Sequence, residues 1–276
     1  MYSSVRYNKR NEEIPKMKPG DLFDGKKYEE ASQHQRKWGT KLINELKLKG
    51  DEIILDLGCG NGLTTRELAM RVPGGKVVGV DNAPSMLETA DAHRTENTEL
   101  LLLDINELSF RSEFDVVFSS ATLHWILDHE RLLDNICAAL KPGGFARMQF
   151  ACDGNCSNFF AVAREVMKLH DFEKHFRGFT WPWYMPKLKE YEKLLSKTEF
   201  RDSRVWGENA DHHFPNEESM AGWIEQPSIV PLIAALPESL RTQFRNDVVE
   251  RMLKRTKQAD GTYFETFRRI NIYAEK

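Results

Sequence analysis

The stretch Asp56-Leu57-Gly58-Cys59-Gly60-Asn61-Gly62 decides how this chain folds. It follows the apolar run Ile53-Ile54-Leu55 and opens the helical spacing of Leu63-Thr64-Thr65-Arg66-Glu67-Leu68. A buried strand therefore enters a glycine turn and leaves it as a helix N-terminus. Such a turn lets a ligand approach bare backbone and meet unpaired N–H groups. The glycines recur at spacing two. The dinucleotide pattern Gly-x-Gly-x-x-Gly needs a glycine three places after its second member. Leu63 and Thr65 stand at the candidate places, which weakens a pyrophosphate reading.

Outward from the turn, residues 40–150 alternate short apolar runs with amphipathic stretches. Strands are expected at 53–57, 76–80, 100–103, 114–119 and 145–150. Their apolar character predicts strands buried on both faces of a parallel sheet. Leu132, Leu133, Ile136, Ala139 and Leu140 form one helical stripe, stopped by Lys141-Pro142-Gly143-Gly144. Repeated strand–helix units of this length imply a doubly wound α/β sheet. Ligands on such sheets sit beyond the carboxyl ends of the strands, where Asp56, Asp81, Asp104 and Ser120 fall.

After residue 150 the alternation stops. Helices are expected at 159–169 and 187–195, separated by the aromatic turn Phe179-Thr180-Trp181-Pro182-Trp183-Tyr184. A strand at 203–206, extended toward 214, precedes helices at 217–226 and 238–254. Leu240, Phe244, Val248 and Met252 recur there every fourth residue. A last strand covers 262–274. The chain divides into a polar tail (1–20), an N-terminal helical flap (21–50), a ligand-binding core (51–152) and a remainder (153–276). That remainder carries the outer strands and a helical lid near 215–257.

Composition narrows the classes. The 276 residues are 41% hydrophobic and 29% charged, ordinary for a globular chain with room for a ligand-enclosing core. A net charge of −3 argues against a general nucleic-acid binder. No run of 18 apolar residues occurs, so no membrane span is expected. Residues 1–10 lack the apolar core of a signal peptide. Four sparse cysteines, one inside the turn, suit a reduced, cytoplasmic protein. Cys152-x-x-x-Cys156 and His212-His213 match no common zinc spacing, and no metal is expected.

The cofactor constellation extends along the chain. Asp81 ends the second strand 19 residues after Gly62, and its carboxylate can accept from two vicinal ribose hydroxyls. Asn82 follows it, and Met86 falls where an adenine face would lie. Asp104 can accept from the adenine amine, with Ile105 packed on the ring. Ser120 ends the fourth strand among small residues, where a ligand can rest on backbone. Each aspartate has a plainer reading as a helix cap or turn residue.

The spacing Asp56-x-Gly58-x-Gly60-x-Gly62 resembles the first motif of the Rossmann-like, class I methyltransferases that use S-adenosyl-L-methionine (SAM). Tyr28…Ser32-Gln33-His34-Gln35, Leu123-His124-Trp125-Ile126 and Leu140-Lys141-Pro142-Gly143-Gly144 look like one group of small-molecule enzymes within that class. The group includes trans-aconitate and juvenile-hormone-acid methyltransferases. Phe214-Pro215…Gly222-Trp223-Ile224 and Asp260-Gly261 through Phe267-Arg268-Arg269-Ile270 are similar to the trans-aconitate type. The resemblance implies a seven-stranded, mostly parallel sheet with a helical lid. It implies SAM as donor and S-adenosyl-L-homocysteine as product. It implies Gly58, Cys59 and Gly60 at the cofactor, and Gln35 and Tyr28 near its methionine end. Members of the group esterify carboxylic acids.

A carboxylate acceptor is already ionised at neutral pH and needs no general base, whereas a hydroxyl, ammonium or carbon acid does. His124 has three readings: base, hydrogen-bond contact to the acceptor, or structural residue. Trp125 either walls the site against water or packs a helix. Arg177, Arg268 and Arg269 are candidates for an anionic acceptor. Trp181, Trp183 and Tyr184 line an apolar pocket or pin their turn. The leading expectation is a methyl ester of a small carboxylic acid. The rivals are N- or C-methylation, a SAM-binding module without catalysis, and a nicotinamide enzyme.

Overall fold

The protein, a computed structural model, is described over residues 33–276. The expected tail, residues 21–32 of the expected flap, and Tyr28 lie outside the described residues. The strands are β1 (Ile53–Leu57), β2 (Lys76–Asp81), β3 (Thr98–Leu102), β4 (Phe114–Ser120), β5 (Leu140–Ala151), β6 (Asp202–Asn209), β7 (His212–Phe214), β8 (Tyr263–Glu265) and β9 (Arg268–Glu275). Seven form one sheet in the order β3-β2-β1-β4-β5-β9-β6, and β7 pairs with β8 apart from it. Strands β1 to β5 pair in parallel. Only β9 is reversed, antiparallel to β5 and β6 on either side of it. The sheet is the expected α/β, Rossmann-like one. The expected last strand divides into β8 and β9, and the stretch toward 214 becomes the separate strand β7.

The helices are α1 (Gln33–Asn44), α2 (Leu63–Arg71), α3 (Pro84–Asp91), α4 (His129–Ala139), α5 (Ser157–Met167), α6 (His170–Glu173), α7 (Leu188–Leu195), α8 (Glu217–Trp223), α9 (Val230–Ala234) and α10 (Glu238–Thr256). The expected helix at 217–226 stops at Trp223 and relaxes into a π turn, Ile224–Ser228. Proline at 227 withholds the N–H that an α-helix would use there. The helix ends at Ala139, one residue short of its expected stripe, and Leu140 already opens β5. Residues 141–144 nevertheless continue as strand, with a register shift opposite Phe114–Val116.

Two apolar layers sandwich the β1–β4 half. Ile54, Val77, Val116 and Phe118 pack with Leu42, Ile43 and Leu68 on one face. Leu55, Leu57, Val78 and Val117 pack with Leu132, Leu133 and Ile136 on the other. Burial on both faces is the expected pattern, and β1, β2 and β4 obey it; β3, at the sheet edge, is only half-buried and leaves Leu102 exposed, which corrects the expectation there. Strand β5 does not, which corrects that expectation. Ala146, Met148 and Phe150, with Ile270, Ile272 and Ala274 of β9, enter the apolar core. Arg147 and Gln149, opposite Tyr273 and Asn271, face the other way. The period-2 alternation of an antiparallel pairing governs here.

Helix α1 covers part of that polar face through charges. Lys41 pairs with Glu208 at 2.5 Å, and Arg147 Nη2 with Glu45 at 2.6 Å. Arg147 Nη2 also donates to Asn271 Oδ1 at 3.0 Å, and its guanidinium stacks on Trp206. A buried arginine so surrounded has its charge and its donors matched.

Helices α5 and α8–α10 build a second core around Phe159, Val162, Trp223, Phe244, Val248 and Met252. The every-fourth pattern of α10 is buried there as expected. The N-terminus of α5 is capped from over a hundred residues away. Glu265 of β8, fully buried, accepts from the Phe159 N–H at 2.9 Å and from the Asn158 N–H at 3.1 Å. Replacing Glu265 with Ala leaves those donors dry. We expect a stability loss of about 3 kcal/mol in denaturant titration, with partial recovery in Glu265→Gln.

Candidate active site

The strand order turns back between β1 and β4, so a crevice opens at their carboxyl ends. A cavity of about 990 Å³ occupies it. That exceeds the needs of a nucleoside-sized ligand and leaves space for a second molecule.

The glycine turn forms its floor. Contrary to expectation, its first N–H groups are not free. Gly58 and Cys59 both donate to the Val80 carbonyl, at 2.8 and 3.0 Å, and Gly62 donates to Cys59. Gly60 donates to Asp81 Oδ2 at 2.9 Å, and Ala83 to Asp81 Oδ1 at 2.9 Å. The turn is thus tied to the end of β2. Glycine is needed at 58 for two reasons. Its φ is +73°, and a Cβ would stand 2.1 Å from Thr122 Cγ2. At 62, with φ +81°, a Cβ would stand 2.8 Å from Ala90 on α3.

Gln35, Gly58, Cys59, Gly60, Asp81, Asn82, Met86, Asp104, Ile105, Ser120, His124 and Trp125 all line the cavity. Asp56 stands apart from them. It is 2% exposed beneath the turn and accepts from Thr65 Oγ1 at 2.7 Å. Burial pushes its carboxyl up to about 7; the Thr65 bond opposes this, and the nearby Asp81 charge adds to it. Burial also raises the Asp81 carboxyl and holds the Cys59 thiol well above its usual range. Cys59 is therefore a neutral packing group. Asp104 borders the cavity and also fills its plainer role. Its Oδ1 accepts from the Asn106 N–H at 2.9 Å, capping a 3₁₀ turn.

Three buried polar atoms among the described residues lack a hydrogen-bond partner in this cavity: Gln35 Oε1, Ser120 Oγ and His124 Nδ1. Buried polar atoms are otherwise paired almost without exception. These atoms, beside the Asp81 carboxylate and the apolar Met86 and Ile105, match a ligand with an adenosine part and a charged amino-acid part.

The other end is aromatic. Trp38, Trp125, Phe160, Trp183, Trp223 and Phe267 line it. Trp125 stands edge-on to Trp183, with centroids 5.3 Å apart. Of the candidate arginines only Arg269 reaches the cavity. Arg177 is exposed, and Arg268 pairs with Asp211. Arg269 is 2% exposed, lies over the Trp38 ring at 4.5 Å, and donates from Nε to Gln149 Oε1 at 3.3 Å. His124 is held neutral. Burial first, then the Arg269 charge and the nearby His129 ring, push it well below its ordinary range. In the aromatic turn Trp183 lines the cavity, while Tyr184 points into the core and donates its N–H to the His124 carbonyl at 2.8 Å. Among the described residues no cluster of three or more His, Cys, Asp or Glu side chains is placed to hold a metal ion.

Trp38 and His129 escaped the sequence reading. Trp38 lies three residues after Gln35, so one helical face carries both, a signal that was available. His129 opens α4 behind its N-cap Asp128, and nothing in the local spacing marks it.

Residues 54–144 match the methyltransferase domain family. Trans-aconitate 2-methyltransferase of Mycobacterium tuberculosis (strain ATCC 25177 / H37Ra) is 27% identical over 259 residues, covering 92% of this chain and 97% of that protein. The YcgJ protein of Bacillus subtilis superposes with a TM-score of 0.60 at 15% identity, over 87% of this chain and 98% of that one. Phosphoethanolamine N-methyltransferase 2 of Haemonchus contortus, solved in complex with S-adenosyl-L-methionine, gives a TM-score of 0.59 at 21% identity. That match covers 94% of this chain and 60% of the nematode one.

The Asp56 carboxyl carries a pH signature. Its pKa is raised in the folded chain, so the folded state holds the proton between its unfolded value near 3.9 and about 7. Its contribution to stability is complete below that unfolded value and is lost as pH rises through about 7. Thermal unfolding of the ligand-free protein from pH 5 to 8 should show this loss, a few kcal/mol in size, and Asp56→Asn should remove it.

Proposed function

We propose that this chain, a Rossmann-like, S-adenosyl-L-methionine-dependent methyltransferase acting on a small molecule, converts a carboxylic acid into its methyl ester. One observation carries the choice of acceptor. A buried guanidinium, Arg269, faces a cavity end that is otherwise aromatic, beside a histidine held neutral.

When bound, the donor supplies an electrophilic methyl group on a sulfonium and leaves as S-adenosyl-L-homocysteine. Residues on β1 to β4 would hold it. Asp81 keeps lone pairs for ribose hydroxyls, since each carboxylate oxygen accepts one backbone N–H. Met86 and Ile105 offer apolar surface to a base, with Asp104 at its edge. Gln35 Oε1 and Ser120 Oγ are the atoms suited to the amino-acid end. Cys59 and the glycines give backbone contact and no chemistry. Asp56 acts from below, by holding Thr65 at the start of α2.

A guanidinium is a planar fork of donors, the geometry that holds a carboxylate bidentately. The aromatic walls exclude water and fit an acid with one carboxylate on a mainly apolar body. His124 favours the same reading. An imidazolium beside Arg269 is costly, so His124 is a poor proton acceptor. An acceptor that must lose a proton would be badly served, and an ionised carboxylate loses none. His124 is then a hydrogen-bond contact to the acceptor, and Trp125 a wall of its pocket.

On this reading residues 51–152 carry the donor, residues 153–276 add the acceptor side, and helices α8 to α10 form its lid. Trp223 and Ser228 of that block line the cavity. No helix among the described residues is long and apolar enough to cross a membrane. The four cysteines are free and buried, which suits a reducing compartment, and we place the enzyme in the cytoplasm.

The test is transfer of a labelled methyl group to a panel of acids. A methyl ester releases labelled methanol in mild alkali, and an N- or C-methyl product does not. Alkali-stable label would overturn the ester reading. Asp81→Ala should weaken S-adenosyl-L-homocysteine binding about a hundredfold by calorimetry while leaving cooperative unfolding intact. Arg269→Met should lower kcat/KM for the acid by about a hundredfold with donor affinity unchanged. For the wild-type enzyme kcat/KM should stay level from about pH 6 to 9, because the carboxylate is ionised throughout.

A further inference from the structure

We propose that His129 is a positioning residue for methyl transfer, a buried buckle that joins the two walls of the acceptor pocket through Leu123 and Tyr191. The proposal rests on the acceptor assignment above. His129 stands behind the cavity rather than in its lining. It is 3% exposed, and its ring packs against Phe150, Tyr184 and Tyr191 at centroid distances of 5.2, 4.5 and 5.4 Å.

Its two nitrogens reach different parts of the chain. Nε2 lies 3.0 Å from the Leu123 carbonyl, and Nδ1 lies 2.9 Å from the Tyr191 hydroxyl. A carbonyl can only accept, so Nε2 carries the proton. Nδ1 then accepts from the tyrosine O–H. One neutral tautomer satisfies both bonds. Burial keeps the ring neutral, lowering its pKa to about 4.

Leu123 belongs to the 3₁₀ turn Leu123–Trp125, which presents His124 and Trp125 to the cavity. Tyr184 packs against the same imidazole and binds the His124 carbonyl through its N–H. Its neighbours Trp183 and Met185 also line the cavity, and Trp183 meets Trp125 edge-on. Tyr191 anchors the assembly to α7. A residue needed only for packing would be apolar here, since burying an imidazole costs desolvation. What the imidazole adds is a pair of bonds to a loop and a helix, and these set where His124 and Trp125 stand.

The experiment compares Tyr191→Phe, His129→Phe and His129→Gln in the full chain. Tyr191→Phe removes one oxygen, so it keeps the question open to test should His129→Phe fail to fold. In Tyr191→Phe and His129→Phe we expect kcat/KM for the acid to fall about tenfold, with S-adenosyl-L-homocysteine affinity within about twofold of wild type. His129→Gln, which keeps a donor and an acceptor, should recover part of the loss. Hydrogen exchange gives a readout independent of any acceptor: amides at 123–126 should exchange about tenfold faster in both Phe variants, and those at 53–62 should not change. Wild-type kcat/KM in both Phe variants would overturn the proposal, as would an equal loss of donor affinity. If the wild-type enzyme esterifies no acid, the ester reading fails, and the exchange at 123–126 decides alone. Unaltered exchange there sinks the buckle.

Discussion

The Val80 carbonyl and the Asp81 carboxylate hold the glycine turn in place, and the rest of the site depends on them. Four backbone N–H groups, from residues 58, 59, 60 and 83, end on these two residues. A turn with three left-handed glycines would otherwise be free to move. Tied to β2, it is preorganised at the point where the sheet order reverses. The carboxylate that shapes the floor also lines the cavity, so a ligand there would meet a group already fixed by two backbone bonds.

The two halves of the sheet solve different problems. Strands β1, β2 and β4 are apolar on both faces and supply a stiff platform. The β5–β9–β6 half is apolar on one face only. Its other face carries a row of arginine, glutamine, asparagine and glutamate, matched by charges on and just after α1. Arg269 belongs to that row, which explains how a guanidinium comes to be buried at a cavity wall. The aromatic end of the cavity is drawn from six separated places in the chain, and interlocked rings such as Trp125 with Trp183 and Trp223 with Phe267 hold it together.

Much of the donor half was legible in the chain. A strand, a glycine turn and a helix start follow one another locally, and the carboxylates at 81 and 104 close the next two strands. Periodicity suffices for such features because each is made by neighbours in sequence. The strand bounds drifted by a residue or two at β3 and by five at the start of β5, where Lys141-Pro142-Gly143-Gly144 reads as a stop yet continues as strand. Asp56 was read as a ligand because its spacing is right, yet it points beneath the turn, and direction is invisible in a linear string. The alternation Arg147, Gln149 was present, but it was absorbed into an apolar run. The acceptor half was harder. Glu265 caps a helix that begins at Ser157, and His129 meets Tyr191 across 62 positions. Pairings of that reach leave no periodic trace.

The reversed strand carries a consequence for how the molecule is made. β9 lies between β5 and β6, yet it follows both in the chain. A polypeptide emerging from the ribosome can assemble β1 to β5 in order, whereas β6 has no partner until some sixty more residues have appeared. During that interval β5 is an open edge, and Trp206 of β6 has no sheet to rest on. Chaperone capture is expected at this stage of synthesis, and the glycine turn with its parallel strands is built before the strands and helices that close the aromatic end of the cavity.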